Sequence, residues 1–159
     1  MTKAYTTRVG GGPMPTEIKD DATAARVLSE VAATTGRIRR AGWFDSELTH
    51  FAYQVNGIDR LFLTKLDVLS ELDEIQICTG YRLNGRQVHY SELDSYQLDR
   101  VKAVYKTVRG WKEDIRGIRK YANLPTRARA YVETIEKLAG VKVGWVANGP
   151  EREAVIRKI

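Results

Sequence analysis

This chain of 159 residues predicts an α/β fold on three observations. Apolar stretches with a strand's character alternate with stretches that have a helix's spacing. Residues of the kind that cap helices and make turns stand between them. The third is a Gly/Pro-rich loop, "VGGGPMPTE" at 9–17. Its three glycines open backbone conformations closed to other residues, while Pro13 and Pro15 stiffen the second half of the loop.

Next, Asp20 or Asp21 predicts the cap of a helix through about Val31, with Ala25, Leu28 and Val31 near one face. "ATTGRIRRAGWFD" at 33–45 reads as a loop. Asp45 or Ser46 caps a second helix, "SELTHFAYQVNG", which Asn56 and Gly57 stop. "RLFLTKLDVL" at 60–69 is a buried strand running into a polar loop. "EIQICTGYRLNGRQVHY" at 74–90 alternates around Asn84-Gly85, a hairpin signal. Within 91–122 only "VKAVYKTV" reads as a strand. "LPTRARAYVETIEKLAG" at 124–140 is a helix started at Pro125 or Thr126, lined by Val132, Ile135 and Leu138, and ended by Gly140. "VKVGWVANGPER" at 141–152 is a last strand and a turn.

The length suits one domain or a large piece of one, enough to bury roughly 68–70% of its unfolded surface. With 43% hydrophobic and 29% charged residues the chain is globular in composition. One cysteine, Cys78, forbids an internal disulfide and fits a reducing, cytoplasmic setting. It lies in an apolar strand and reads as a core thiol. No apolar run approaches ~18 residues, so no membrane span is expected. The opening "MTKAYTTRVGGG" has no signal-peptide pattern. His50 and His89 stand far apart, with no metal-ligand spacing near them; His50 reads as structural. Trp43, Trp111 and Trp145 read as packing. The phosphate-loop pattern G-x-x-x-x-G-K-[ST] and the nucleophile pattern G-x-S-x-G are both absent. A net charge of +6 favours anionic partners.

Three short stretches carry chemistry. In "LTKLD", at a strand end where α/β proteins place ligand loops, Asp67 can accept hydrogen bonds from N1–H and the exocyclic amine of guanine. Adenine lacks that donor pair. Lys65 can lay its aliphatic stem on the purine face. Alone, a lysine and an aspartate at a strand end are ordinary surface chemistry. In "TTGRIRR", Arg37 and Arg39 share a side if the chain is extended, and each guanidinium can grip a carboxylate or phosphate bidentately. Gly36 permits close backbone approach, and the threonines add donors. In "ANGP" at 147–150, Asn and Gly can present backbone donors to a base; alone this is an ordinary turn.

Taken together the motifs resemble the C-terminal part of adenylosuccinate synthetase. "KAYTTRVGGGPMPTE" is similar to that family's KAYTTRVGxGPFPTE, and "ATTGRIRRAGWFD" to its ATTGRxRRxGWxD. "LTKLDVL", "EIQIC", Gly110-Trp111, Leu124-Pro125 and a terminal "GPER" come in the family's order. The chain departs from the pattern at Ala32, where the family usually has Gly, at Met14 for Phe, and at "ANGP" for a common S-T-G-P. Ala147 thereby lacks a hydroxyl.

The resemblance implies the C-terminal portion of a P-loop-NTPase-like mixed sheet with flanking helices. It implies that 1–159 is the substrate- and guanine-recognition part, without the N-terminal part that holds the phosphate loop and catalytic residues. The family couples IMP to L-aspartate with GTP and Mg²⁺. Phosphate passes from GTP to the 6-oxygen of IMP, and the aspartate amine then displaces it. By resemblance, Ala33, Thr34, Thr35, Gly36, Arg37, Ile38 and Arg39 bind L-aspartate. Val9 and Arg37 bind IMP. Arg39, Lys65, Leu66, Asp67, Ala147, Asn148 and Gly149 bind GTP. No catalytic residue and no Mg²⁺ ligand is expected in this chain, which is expected to be inactive alone. The complete enzyme is expected to be a homodimer, with neither nucleic acid nor membrane as partner.

Three alternatives make different demands. A relative acting on dGMP with ATP would place adenine against Asp67, whose carboxylate would repel the adenine N1 lone pair. A nucleic-acid-binding module would spread its charge along a stripe interleaved with aromatics, whereas these arginines cluster. A bare assembly unit would have no ligand site when isolated.

Overall fold

The computed structural model describes residues 1–19, 21–28, 30, 31, 36 and 38–159. In chain order its elements are β1 (Thr2–Lys3), β2 (Thr6–Arg8), α1 (Ala22–Leu28), β3 (Glu30–Val31), β4 (Ile38–Gly42), β5 (Phe44–Asp45), α2 (Ser46–Asn56), β6 (Arg60–Thr64), β7 (Glu74–Leu83), β8 (Arg86–Val88), α3 (Ser95–Leu98), β9 (Lys102–Arg109), α4 (Thr126–Ala139), β10 (Lys142–Ala147) and β11 (Val155–Arg157). Short 3-10 turns occupy Asp67–Glu71, Tyr90–Glu92, Tyr121–Asn123 and Arg152–Ala154.

Local chemistry sets the helix ends. The Asp21 carboxylate accepts from the Ala24 N–H at 2.9 Å at the start of α1. Asp45 accepts from the Leu48 N–H at 3.0 Å and caps α2, and Gly57 closes it at φ 58°. Gly140 closes α4 at φ 71°, its N–H reaching the Glu136 carbonyl at 3.0 Å. Along α4, Ala128, Tyr131, Val132, Ile135 and Ala139 are buried, with Leu138 at the edge of that face. The stripe recurs at three- and four-residue steps, which is what a helix packed on one side requires.

The central sheet runs β1-β6-β10-β11, with β1, β6 and β10 parallel and β11 antiparallel. Leu61 pairs with Val143 and Leu63 with Val146, and all four are buried. A second sheet centres on β7, which pairs parallel with β5 and antiparallel with β8 and β9. Its hairpin turns on Asn84 (φ 52°) and Gly85 (φ 83°), the left-handed pair that matches strand twist. The sheet's distal end has its own small core of Cys78, Tyr81 and Val101. A third, short sheet is ordered β2-β4-β3. The mixed sheets and flanking helices accord with the expected fold class.

The structure differs from the sequence reading at four places. The first helix ends at Leu28, not Val31. Glu30 and Val31 instead form β3, paired with Arg39 and Ile38. The stretch read as a loop is strand β4 from Ile38 onward, because β2 on one side and β3 on the other satisfy its backbone groups. Trp145 is 39% exposed on β10, while Trp43 and Trp111 are buried. A further strand, β11, folds back beyond the last turn. Among the described residues no helix is long and apolar enough to cross a membrane.

Candidate functional site

Strands β6 and β10 end side by side, so the segments that leave them meet. Lys65 turns the chain with φ 63°. The Leu66 N–H then donates to the Ala147 carbonyl at 3.2 Å, which stitches the two loops together. Leu66 itself is fully buried and anchors the turn. Asp67 opens the 3-10 turn and is half-buried. Burial pushes its carboxyl above its ordinary value, against the pull of its own backbone N–H and of Lys65 and Arg116. It lines a cleft of about 340 Å³ shared with Val27, Ser70, Lys112, Asp114 and Arg116. The Arg116 guanidinium pairs with Asp114 at 2.7 Å and holds that carboxyl down to about 2.

Asn148 is fully buried. Its amide nitrogen donates to the Ile115 and Ile118 carbonyls, and its backbone N–H reaches the Ala154 carbonyl at 3.1 Å. Two carbonyls facing one end of the amide fix which atom is nitrogen. Its oxygen, Oδ1, is buried and accepts no hydrogen bond among the described residues. A buried acceptor without a donor is uncommon. At Gly149 a Cβ would stand 2.7 Å from a Glu151 carboxylate oxygen and 3.1 Å from the Ala154 Cβ, so the turn is tight.

The 3-10 turn is braced by the segment Gly110 to Lys112. The Trp111 indole N–H donates to the Ser70 hydroxyl at 2.7 Å. The Lys112 ammonium reaches the Glu71 carbonyl at 2.9 Å and Asp73 at 3.0 Å. The Gly110 N–H donates to the Asp73 carbonyl at 2.7 Å. Any side chain at Gly110 would collide with the Leu72 carbonyl, 1.9 Å from a Cβ there. These contacts join residues some forty positions apart, so no local pattern signals them.

At the short sheet, two arginines hold the Gly-rich loop. Arg40 binds Glu17 through two nitrogens, each at 2.7 Å, and donates to the Gly12 carbonyl at 2.8 Å. Its hydrogen bond is the main cause that holds the Glu17 carboxyl below its ordinary value. Arg8 donates to the Gly11 and Pro13 carbonyls, both at 3.0 Å. Val9 stands 65% exposed at the start of that loop. The register pairs Arg8 with Arg40, so Val9 and Arg39 lie at the same end of this ribbon. Helix α1 packs against both β4 and the 3-10 turn and joins the two halves of the site.

Of the expected aspartate loop, Ala33, Thr34, Thr35 and Arg37 lie outside the described residues, as do Asp20 and Ala32. Gly36 is exposed with φ 63°. Ile38 and Arg39 are in β4 rather than in a loop. Lys65, Leu66 and Asp67 are brought against Ala147, Asn148 and Gly149. Within these loops the Ala147 carbonyl and the Asn148 N–H are taken by the protein itself.

Other reactive groups are engaged elsewhere. Cys78 is buried in the distal core, and burial pushes its thiol up. The His50 ring nitrogen Nδ1 meets the Ala139 carbonyl at 3.0 Å at the end of α4. Among the described residues no group of three or more His, Cys, Asp or Glu could hold a metal ion.

The carboxyl ends of neighbouring parallel strands, where these two loops meet, are where open α/β sheets bind ligands. The chain belongs to the adenylosuccinate synthetase family, whose sequence model matches residues 1–156. It is 47% identical over 158 residues to the adenylosuccinate synthetase of Mycolicibacterium smegmatis, covering 98% of this chain and 37% of that protein. The Mycobacterium leprae enzyme is 46% identical over the same coverage. Among solved structures, fully ligated adenylosuccinate synthetase from Plasmodium falciparum superposes with a TM-score of 0.93 at 35% identity, over 99% of this chain and 39% of that one. The chain thus spans about 37% of the length of the curated relatives it matches.

Proposed function

We propose that this chain supplies the guanine-, IMP- and L-aspartate-recognition part of a GTP-dependent adenylosuccinate synthetase. The observation that carries the reading is the junction of the Lys65–Asp67 and Ala147–Gly149 loops, stitched through Leu66. There the Asp67 carboxylate accepts from the N1–H and amine of guanine, and the Lys65 stem covers the ring. Asn148 fixes the facing turn. Val9 packs against the IMP ribose. Arg37 and Arg39, with Thr34, Thr35 and the backbone from Ala33 to Ile38, clamp the L-aspartate carboxylates; Arg37 also meets IMP and Arg39 also faces GTP. Phosphate moves from GTP to the IMP 6-oxygen and is displaced by the aspartate amine, giving adenylosuccinate, GDP and phosphate. That chemistry depends on position and charge neutralisation.

Magnesium would neutralise phosphate charge in that reaction; by the family resemblance its ligands, the phosphate loop and the catalytic groups belong to the N-terminal part of the enzyme, outside this chain. The complete enzyme is read as a cytoplasmic homodimer. Calorimetric titration of the chain with GDP, with ADP as control and Asp67→Asn as the variant, tests the reading. Tighter binding of GDP than of ADP, with the difference lost in the variant, is the expected result. Equal binding of ADP, or GDP binding unchanged in Asp67→Asn, would overturn the guanine assignment.

A further inference from the structure

The far end of the β7 sheet holds a concentration of charge that the nucleotide reading does not use. Between the hairpin turn and β9 lies a cleft of about 740 Å³ lined by Arg82, Asn84, Arg100 and Lys102 among others, with no carboxylate in its wall. Arg82 and Lys102 are directly opposite one another in the antiparallel register. Side chains so paired share a face, with Cβ atoms ~5 Å apart, and like charges there are destabilising. Beside them Arg100 stacks its guanidinium on the Tyr96 ring at 5.4 Å, which limits its freedom. Among the described residues none of the three cations forms an ion pair. Elsewhere the protein does neutralise its arginines, as Glu17 does for Arg40 and Asp114 for Arg116. Arg82 lies eight residues along β7 from Glu74, about 26 Å at a strand's rise, so the cleft is well removed from the Asp67 loop.

We propose that this cleft is a second anion site, taking one compact, multiply charged phosphate group. Two guanidiniums offer forked donors that match phosphate oxygens, Lys102 adds a point charge, and Asn84 adds an amide at the rim. A bound polyanion relieves the Arg82–Lys102 repulsion, so occupancy and stability are linked. The same chemistry is carried by free polyphosphate and by a nucleotide's phosphate tail.

The test is titration of the chain with tripolyphosphate and, separately, with CTP, whose base does not present guanine's donor pair to Asp67. One saturable site per chain for tripolyphosphate is expected, with a rise in melting temperature. The Arg82→Gln/Lys102→Gln double variant should weaken it at least tenfold. Without ligand, that variant should melt no lower than the parent. Arg100→Gln, outside the strands, should weaken binding in the same direction and guards against a folding effect in the double variant. CTP binding as tightly as tripolyphosphate assigns the site to a nucleotide tail; weaker CTP binding assigns it to free polyphosphate. Non-saturable binding, equal stabilisation by sulfate at matched ionic strength, or unchanged affinity in both variants would overturn the proposal. None of these outcomes depends on guanine binding at Asp67.

Discussion

Arg40 and Asp67 sit in neighbouring motifs, yet their chemistry runs in opposite directions. The Arg40 guanidinium is bound on several sides by its own chain, through Glu17 and the Gly12 carbonyl. It shapes the loop that presents Val9. Lysine keeps the charge but loses the forked contact, so Arg40→Lys should cost about 1–2 kcal/mol, read from denaturant melts in a cycle with Glu17→Gln. Glu17 is held below its ordinary value of 4.5. Its contribution is therefore present above that pH and is lost as pH falls through the lower folded value, so the gap between parent and variant should narrow in acid. Asp67 is raised above its ordinary value of 3.8 by burial. Its charged form is a burden on the fold at neutral pH, and that burden is lifted as pH falls through the raised value. Asp67→Asn should thus melt slightly higher at pH 7, by about 1–2 °C, and the difference should vanish toward pH 4. A variant that melts lower at pH 7 would show that the carboxylate stabilises the empty site.

Among the elements, the 3-10 turn that carries Asp67 depends on the segment laid across it. Gly110→Ala places a Cβ against the Leu72 carbonyl and is expected to prevent folding. Trp111→Phe removes the hydrogen bond to Ser70 and part of the packing, and should cost about 2–3 kcal/mol. Asn148→Ala frees the Ile115 and Ile118 carbonyls. Hydrogen exchange in 112–120 should accelerate in that variant while α4 stays protected. Caps, hairpin and the α4 stripe were legible in the sequence because each is settled within a few residues. Strand β4 was not, since its arginines and glycine read as a loop until β2 and β3 flank it. Strand β11 was not either, because a turn does not announce which strand its exit will join.

At the scale of the molecule, the loops proposed to bind guanine, IMP and aspartate come from two sheets joined by α1. This chain spans 37% of the length of its relatives, and its sequence holds no phosphate-loop pattern. Mixed with IMP, GTP, Mg²⁺ and L-aspartate, it is expected to release no phosphate above background in a coupled assay. Turnover by the pure chain would contradict the division of labour proposed for it.

Residue order alone was enough for the family, the helix caps and the Asn84-Gly85 turn. Those depend on motifs and geometry settled within a few residues. It was not enough to say that Arg40 is consumed internally. Arg40 meets Glu17 across 23 residues, and Trp111 meets Ser70 across 41. Nor could it show that Arg82 and Lys102 oppose each other, since strand register is set by the packing of β7 on β9. Such facts arise only when distant segments compete for the same hydrogen bonds and the same buried space.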